Sequence, residues 1–291
     1  MVITHVLSLA MVLSVLSMRM SQAADQPPSG PPDMLALYLT RIDAQFIRFT
    51  LTVSSQFLVA ADRRSIRYRE SHSPDVCERR GKTRHCEGGD AIFVQTTVPQ
   101  APAVEALISQ AVETYGRLDC AHNNAGISGA GIAGTHRALT AEYPEERWHQ
   151  VRAVHLTGVW LCMQYALHQM LHQGGGVIVN TASAAGLVGL PSASAYVASK
   201  HGVVGRTKTA ALEYATQGIR VNGVCPGSIQ TPMTERGLSD PERMARIIAS
   251  EPIGRVGTPE EVAEGVVWLC SDAASFVTGH TMTVDGGDVA Q

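Results

Sequence analysis

Gly174-Gly175-Gly176-Val177-Ile178-Val179-Asn180-Thr181-Ala182-Ser183 decides how this chain folds. Three successive glycines end whatever helix precedes them, because ordering glycine in a helix costs more entropy than ordering any other residue. Val177 to Asn180 is a short apolar run of the kind buried in a parallel sheet. Upstream, a helical stretch runs from about Pro144 to Gln173. Downstream, another covers about Ala195 to Gln217 and leads into the strand Ile219 to Cys225, which stops at Pro226-Gly227. Further out, Leu118 to Ala121 is a strand ending at Asn123-Asn124-Ala125-Gly126. Val104, Leu107, Ile108, Ala111, Val112 and Tyr115 recur at helical spacing, preceded by the strand Ala91 to Val94. A last helix starts near Pro259, and Thr281 to Val284 is a closing strand. Strands alternating with helices predict an α/β fold: a Rossmann-like, doubly wound parallel sheet forming a single domain over residues 88–291. Such sheets bind ligands beyond the carboxyl ends of their strands, where Asn124, Ser183 and Pro226-Gly227 fall.

Apolar residues make up 45% of the 291, enough for a sizeable core. The net charge of −3 gives no electrostatic basis for binding nucleic acid or an anionic membrane. The six cysteines form no CxxC and lie near no histidines at ligand spacing, so no metal site is expected. Cys120, Cys162, Cys225 and Cys270 sit in apolar or strand-like contexts and are expected as reduced, buried thiols, which points to a cytoplasmic protein.

Residues 1–87 read as an aberrant N-terminal region. Val2 to Met18 are mostly apolar, and Ser21-Gln22-Ala23-Ala24 resembles a signal-peptidase site, so a secreted or periplasmic location is the alternative. The apolar run lacks a basic segment before it and is short for a membrane span. Gln26 to Pro32 is a polar, proline-rich linker. Arg63, Arg64, Arg67, Arg69, Arg79, Arg80, Lys82 and Arg84 crowd one short span, and no GxGxxG loop precedes residue 88.

The chemistry lies in the second part. Tyr196 and Lys200 are spaced i, i+4 and share a helix face. A tyrosine is a weak base at neutral pH, but a nearby ammonium favours its phenolate, so the pair can exchange a proton with an alcohol or carbonyl oxygen. Ser183, thirteen positions earlier in the sequence, follows a strand end and can hold that oxygen.

Asn123-Asn124-Ala125-Gly126, Ser183, Tyr196-x-x-x-Lys200, Pro226-Gly227 with Thr231, and Val284-Asp285-Gly286-Gly287 resemble the short-chain dehydrogenase/reductase family in order and spacing, over about residues 88–287. The resemblance implies an NAD- or NADP-dependent oxidoreductase that interconverts a secondary alcohol and a ketone. The stretch Asn180 to Gly186 looks most like members that oxidise small cyclic or secondary alcohols. Tyr196 would be the general acid/base, and Lys200 would lower its pKa and hold the nicotinamide ribose. Ser183 would orient the substrate oxygen. Asn124, Ala125 and Gly126 would lie along the adenosine, Ile229 and Thr231 would contact the nicotinamide amide, and Pro226-Gly227 would complete the cofactor-binding set. Relatives are homo-oligomers, tetramers or dimers, packed through the helices around 142–173 and 195–217 and through the C-terminal strand. Substrate identity would rest with loops around Gly129 to Arg137 and Met233 to Arg246.

Two residues depart from the family pattern. His155 stands where the family has an asparagine that helps hold a water of the proton relay; a histidine is larger and titrates near neutrality. Thr97 stands where an aspartate commonly lies near the adenine. The larger gap is the glycine loop, which should start near residue 50, where Thr50-Leu51-Thr52-Val53-Ser54 offers no glycine. Degenerate codons for Asp62 to Glu70, read one base later, permit Thr-Gly-(Gly or Ala)-x-Ser-Gly-Ile-Gly, which is the family's loop. Three origins of residues 1–87 follow: a frameshift, a misplaced exon boundary or start, or a divergent N-terminal segment. The alternative function is a catalytically impaired or non-catalytic binding protein of the same fold, without a working cofactor loop.

Overall fold

A computed structural model describes residues 48–53, 56–61, 84–86, 89–127, 138–231, 234 and 240–291. The apolar run at Val2 to Met18, the linker at Gln26 to Pro32 and the basic cluster from Arg63 to Lys82 lie outside the described residues. The strands are β1 (Arg48–Val53), β2 (Gln56–Ala61), β3 (Arg84–Cys86), β4 (Gly89–Gln95), β5 (Cys120–Asn123), β6 (Gly176–Thr181), β7 (Ile219–Pro226) and β8 (Thr281–Val284). The helices are α1 (Ala101–Tyr115), α2 (Glu145–Arg152), α3 (Val159–Gln173), α4 (Ser194–Tyr214), α5 (Pro241–Ser250) and α6 (Pro259–Cys270). A π-helical segment, Ala153–Gly158, joins α2 to α3, so the stretch expected as one long helix is continuous but kinked.

The sheet runs β3-β4-β2-β1-β5-β6-β7-β8. β5 to β8 are mutually parallel, as expected, and β1, from the region not expected to join the sheet, is parallel to β5. Its other edge departs from that pattern. β2 pairs antiparallel with β1 and β4, and β3 pairs antiparallel with β4. Val53 faces Gln56 in this register, so only residues 54 and 55 separate β1 from β2. A parallel crossover needs a dozen or more residues, so no helix can lie between these two strands.

Alternation along the strands explains the layers. Ile178, Ile219, Val221 and Cys225 face α3 and α4 on one side; Val179 and Val224 face α6 on the other. Burying each such side chain contributes about 1.5–3 kcal/mol. α1 buries Val104, Leu107, Ile108 and Ala111, one helical stripe, and ends where Gly116 adopts φ 79°. α3 ends the same way at Gly174, φ 86°, the first of the three glycines. α6 starts with Pro259 after a capping box between Thr258 and Glu261. Helix α5 was not anticipated within the span assigned to a substrate loop. Its signal was present: the Asp240 carboxylate accepts from the Glu242 N–H at 3.0 Å, and Pro241 opens the helix. No helix among the described residues is long and apolar enough to cross a membrane.

One cysteine expectation is corrected. Cys162 and Cys225 are free and buried, but Cys120 on β5 and Cys270 at the end of α6 form a disulfide, with Cα atoms 6.3 Å apart. Strand alternation turns Cys120 toward the α6 layer, where Cys270 lies. The 150 residues separating them in sequence hide that proximity.

Candidate active site

Two glycines let the site assemble. A Cβ on Gly186 would come within 2.9 Å of the Lys200 carbonyl oxygen, so the turn after Ser183 packs directly on α4. A Cβ on Gly202 would come within 2.7 Å of Leu156, so the π-helical segment also presses on α4. Ser183, Tyr196, Lys200 and His155 are brought together in this way. The Ser183 side chain lies close enough to the Tyr196 hydroxyl to favour its phenolate. Lys200 Nζ lies 5.6 Å from the Tyr196 ring centroid, and the His155 ring packs edge-on against Tyr196 at 5.1 Å. Ser183 and Tyr196 are half-buried, while Lys200 and His155 are buried. The partly exposed pair, Ser183 and Tyr196, therefore marks the side of the cluster nearer to solvent.

The electrostatics differ from expectation at two residues. Burial raises the Tyr196 pKa above the ordinary tyrosine value, with Ser183 opposing it. The Lys200 ammonium does not outweigh that burial: it donates to the Thr181 carbonyl at 2.8 Å, and burial lowers its own pKa to about 8. His155, expected to titrate near neutrality, is held neutral, because burial pushes its pKa down to about 3. Its Nε2 lies 2.7 Å from the Ile127 carbonyl oxygen and 3.1 Å from the Ile127 N–H. One nitrogen cannot donate to the first and accept from the second. Nδ1 is buried with no hydrogen-bond partner. An asparagine amide could serve both Ile127 groups at once.

Several contributing residues were missed by reading the sequence. Thr181 accepts from Lys200, and its hydroxyl lies 2.8 Å from His122 Nε2. Cys225 sits beneath the site against Ser183 and Lys200, and burial pushes its thiol pKa up. Asn123 donates to Asn180 at 2.8 Å, and Asn180 donates to Thr207 at 2.9 Å, a fully buried chain tying β5 and β6 to α4. Asn180→Ala strips partners from both neighbours and is expected to cost about 2–4 kcal/mol in urea unfolding. A loss below 1 kcal/mol would show that the chain is not needed to seat α4.

The remaining candidates occupy the rim formed by strand ends. Asn124, Ala125 and Gly126 are buried directly beyond β5. Gly227 is packed so closely on Asp285 that a Cβ would lie 2.8 Å from the Asp285 Cα, which fixes Pro226-Gly227 beside β8. Ile229 is buried and bridges to Gly257, and the Thr231 N–H donates to the Thr234 hydroxyl at 2.9 Å. Thr97 is exposed past β4. Of the two expected substrate loops, residues 128–137 lie outside the described residues. Among the described residues no three His, Cys, Asp or Glu cluster as a metal site would require.

The structure offers one end of a dinucleotide site and not the other. Among the described residues Lys200 makes a single hydrogen bond, leaving two ammonium hydrogens for acceptors such as a ribose diol, and Ile229 and Thr231 lie beyond the neighbouring strand. This donor set fits a nicotinamide riboside. A pyrophosphate is ordinarily held by N–H groups where a helix begins after the first strand. Here β1 passes into β2 after two residues, and that cradle does not form.

A family model described as enoyl-(acyl carrier protein) reductase matches residues 74–288. The chain is 44% identical over 205 residues to 2,5-dichloro-2,5-cyclohexadiene-1,4-diol dehydrogenase of Sphingobium indicum, covering 70% of this chain and 80% of that protein. It is 46% identical over 199 residues to cyclohexanol dehydrogenase of an Acinetobacter species, covering 68% and 75%. The structure of ElxO with NADP bound superposes with a TM-score of 0.63 at 35% identity, covering 68% of this chain and 77% of that one.

Proposed function

The chain belongs to the short-chain dehydrogenase/reductase family, and from that premise we propose that it interconverts a cyclic secondary alcohol and its ketone, using a nicotinamide cofactor and Tyr196 as the proton donor and acceptor. The meeting of Ser183, Tyr196 and Lys200 in one cluster carries this reading. The two dehydrogenases above are named for cyclic alcohols. Leu139, on the segment before α2, and Val188 and Leu190, on the segment before α4, are exposed apolar residues, and the Thr140 hydroxyl lies 2.9 Å from that of Ser194. An apolar rim of this kind suits a ring with one oxygen.

A bound nicotinamide supplies the two-electron chemistry, taking hydride from the carbinol carbon or giving it to the carbonyl carbon. The chain's own residues handle the oxygen and its proton. The Ser183 hydroxyl donates to the ketone oxygen and orients it. Tyr196, neutral at pH 7 because burial raises its pKa, gives its phenolic proton to that oxygen as negative charge develops. Lys200, charged below about pH 8, stabilises the phenolate left behind. In the oxidative direction the same atoms run backwards, and the phenolate takes the alcohol proton. Absorbance at 340 nm with cyclohexanone and NADH or NADPH tests the reading. No turnover, together with no cofactor binding in calorimetry, would favour a non-catalytic binding protein, the reading that the β1–β2 connection supports.

His155→Asn should raise ketone reduction several-fold, because the amide pairs both Ile127 groups. It should also change acid stability. The folded pKa of His155 is about 3 against an ordinary value of 6.5, so only the unfolded chain takes up this proton between those values. Stability is therefore complete above pH 6.5 and is lost as the pH falls toward 3. Between pH 7 and pH 5 that loss is about 2 kcal/mol for this one group. Urea unfolding of both proteins at the two pH values checks it, and equal losses would refute the assignment.

We also assign a homo-oligomeric state, dimer or tetramer, through α3 and α4. Trp160 and Leu212 are exposed there, beside a groove of about 350 Å³ lined by Met163, His168, Arg206 and Tyr214. Sedimentation equilibrium should give a multiple of the 31.0 kDa chain mass, and a monomer at micromolar concentration would refute it.

A further inference from the structure

Resting on the oxidoreductase reading, we propose that this chain recognises only the nicotinamide mononucleotide half of a cofactor, so reduced nicotinamide mononucleotide, NADH and NADPH bind with similar affinity. The proposal comes from the sheet. β1 is parallel to β5, with Leu51 opposite His122, so the carboxyl end of β1 lies beside Asn123 and Asn124. A dinucleotide's pyrophosphate belongs at that strand end, under backbone N–H groups that open a helix. Instead β2 runs back antiparallel from Gln56, registered against β1 along its whole length. The position that should carry the positive end of a helix dipole carries a strand connection.

The next strand along is affected too. In a doubly wound sheet the second strand runs parallel to the first and ends beside the adenine ribose, whose hydroxyls a side chain at that end reads. β2 runs the opposite way, so its carboxyl end lies at the far edge of the sheet, level with Arg48. The group that separates NAD from NADP therefore has no strand end to carry it. β4 does return to the parallel direction through two antiparallel pairings, and exposed Thr97 follows it with no charge to offer. The nicotinamide end is present among the described residues: Lys200 makes one hydrogen bond there and has two further ammonium hydrogens, and Ile229 is fixed by its bridge to Gly257.

The test uses the full chain and three probes: reduced nicotinamide mononucleotide, NADH and NADPH. Dissociation constants come from nicotinamide fluorescence and are repeated by calorimetry. The three constants are expected within fivefold of one another, and Lys200→Met should weaken all three by a similar factor. NADH or NADPH binding more than fivefold tighter than the mononucleotide would overturn the proposal. So would the absence of binding by the mononucleotide, or binding that Lys200→Met leaves unchanged. Cyclohexanone reduction with each donor keeps the two readings apart. Equal binding without turnover removes the oxidoreductase reading and leaves this one standing; turnover with a strong dinucleotide preference does the reverse.

Discussion

Tyr196→Phe is expected to lower kcat for ketone reduction by about 10²–10⁴-fold while leaving the fold and nicotinamide binding nearly unchanged. The change removes one oxygen. That oxygen lies beside Ser183 on the side of the cluster nearer to solvent, so the packed part of the ring stays in place against His155. The unfolding midpoint should move by the equivalent of no more than about 1 kcal/mol, the net contribution of one hydrogen bond. The dissociation constant for NADH should stay within twofold, because the hydroxyl acts on the substrate oxygen. The surviving rate should also lose its pH dependence. In the unaltered protein, reduction needs a protonated phenol and a charged Lys200, so it should fall as the pH rises through about 8, where the ammonium discharges. Without the phenol there is no proton to give and no phenolate to stabilise. A variant that keeps more than a tenth of the parent rate would show that another group, such as Ser183 or a water, protonates the oxygen.

The residues of this machinery could be read from the sequence, but their energetics could not. Strand and helix positions from β4 onward, α5 apart, followed from periodicity and from glycine and proline punctuation. Ser183, Tyr196 and Lys200 could be grouped because, with Asn124 and Pro226-Gly227, they match the family's motifs in order and spacing; spacing alone would not have singled them out. The pKa directions were hidden because they depend on burial. The rule that an ammonium lowers a neighbouring phenol's pKa is outweighed here by burial of the phenol. Lys200 is turned to the Thr181 carbonyl, and desolvation dominates both groups. The histidine at position 155 was legible as an oddity. That one nitrogen must answer for both Ile127 groups became visible only once the π-helical segment set its distances. The disulfide partner of Cys120 could not be inferred at such a separation. The missing glycine loop was legible, and the sheet shows its consequence: without residues for a crossover, the second strand reverses direction.

Lys200→Met should abolish activity and make the protein more stable. Lys200 is 4% exposed and makes one hydrogen bond among the described residues. Its pKa in the folded chain is about 8 against an ordinary value of 10.5, so the fold disfavours the charged form. The sign follows from proton uptake. Between pH 8 and pH 10.5 the unfolded chain holds this proton and the folded chain does not, so stability rises with pH across that window. Below pH 8 both states are protonated and the full penalty is present, about 3 kcal/mol at 1.36 kcal/mol per pKa unit. Methionine fills a similar volume with no charge to desolvate. It leaves the Thr181 carbonyl without its donor, at a cost of about 1 kcal/mol. The net gain at pH 7 is therefore about 2 kcal/mol. It should disappear by about pH 10, where the remaining penalty on the folded lysine no longer exceeds the lost hydrogen bond. Urea midpoints at pH 7 and pH 10 measure this directly, and the rate loss with cyclohexanone should be at least 10²-fold. A variant less stable than its parent at pH 7 would mean that the ammonium is held by more than the Thr181 carbonyl. The site would then be organised around this charge rather than tolerating it.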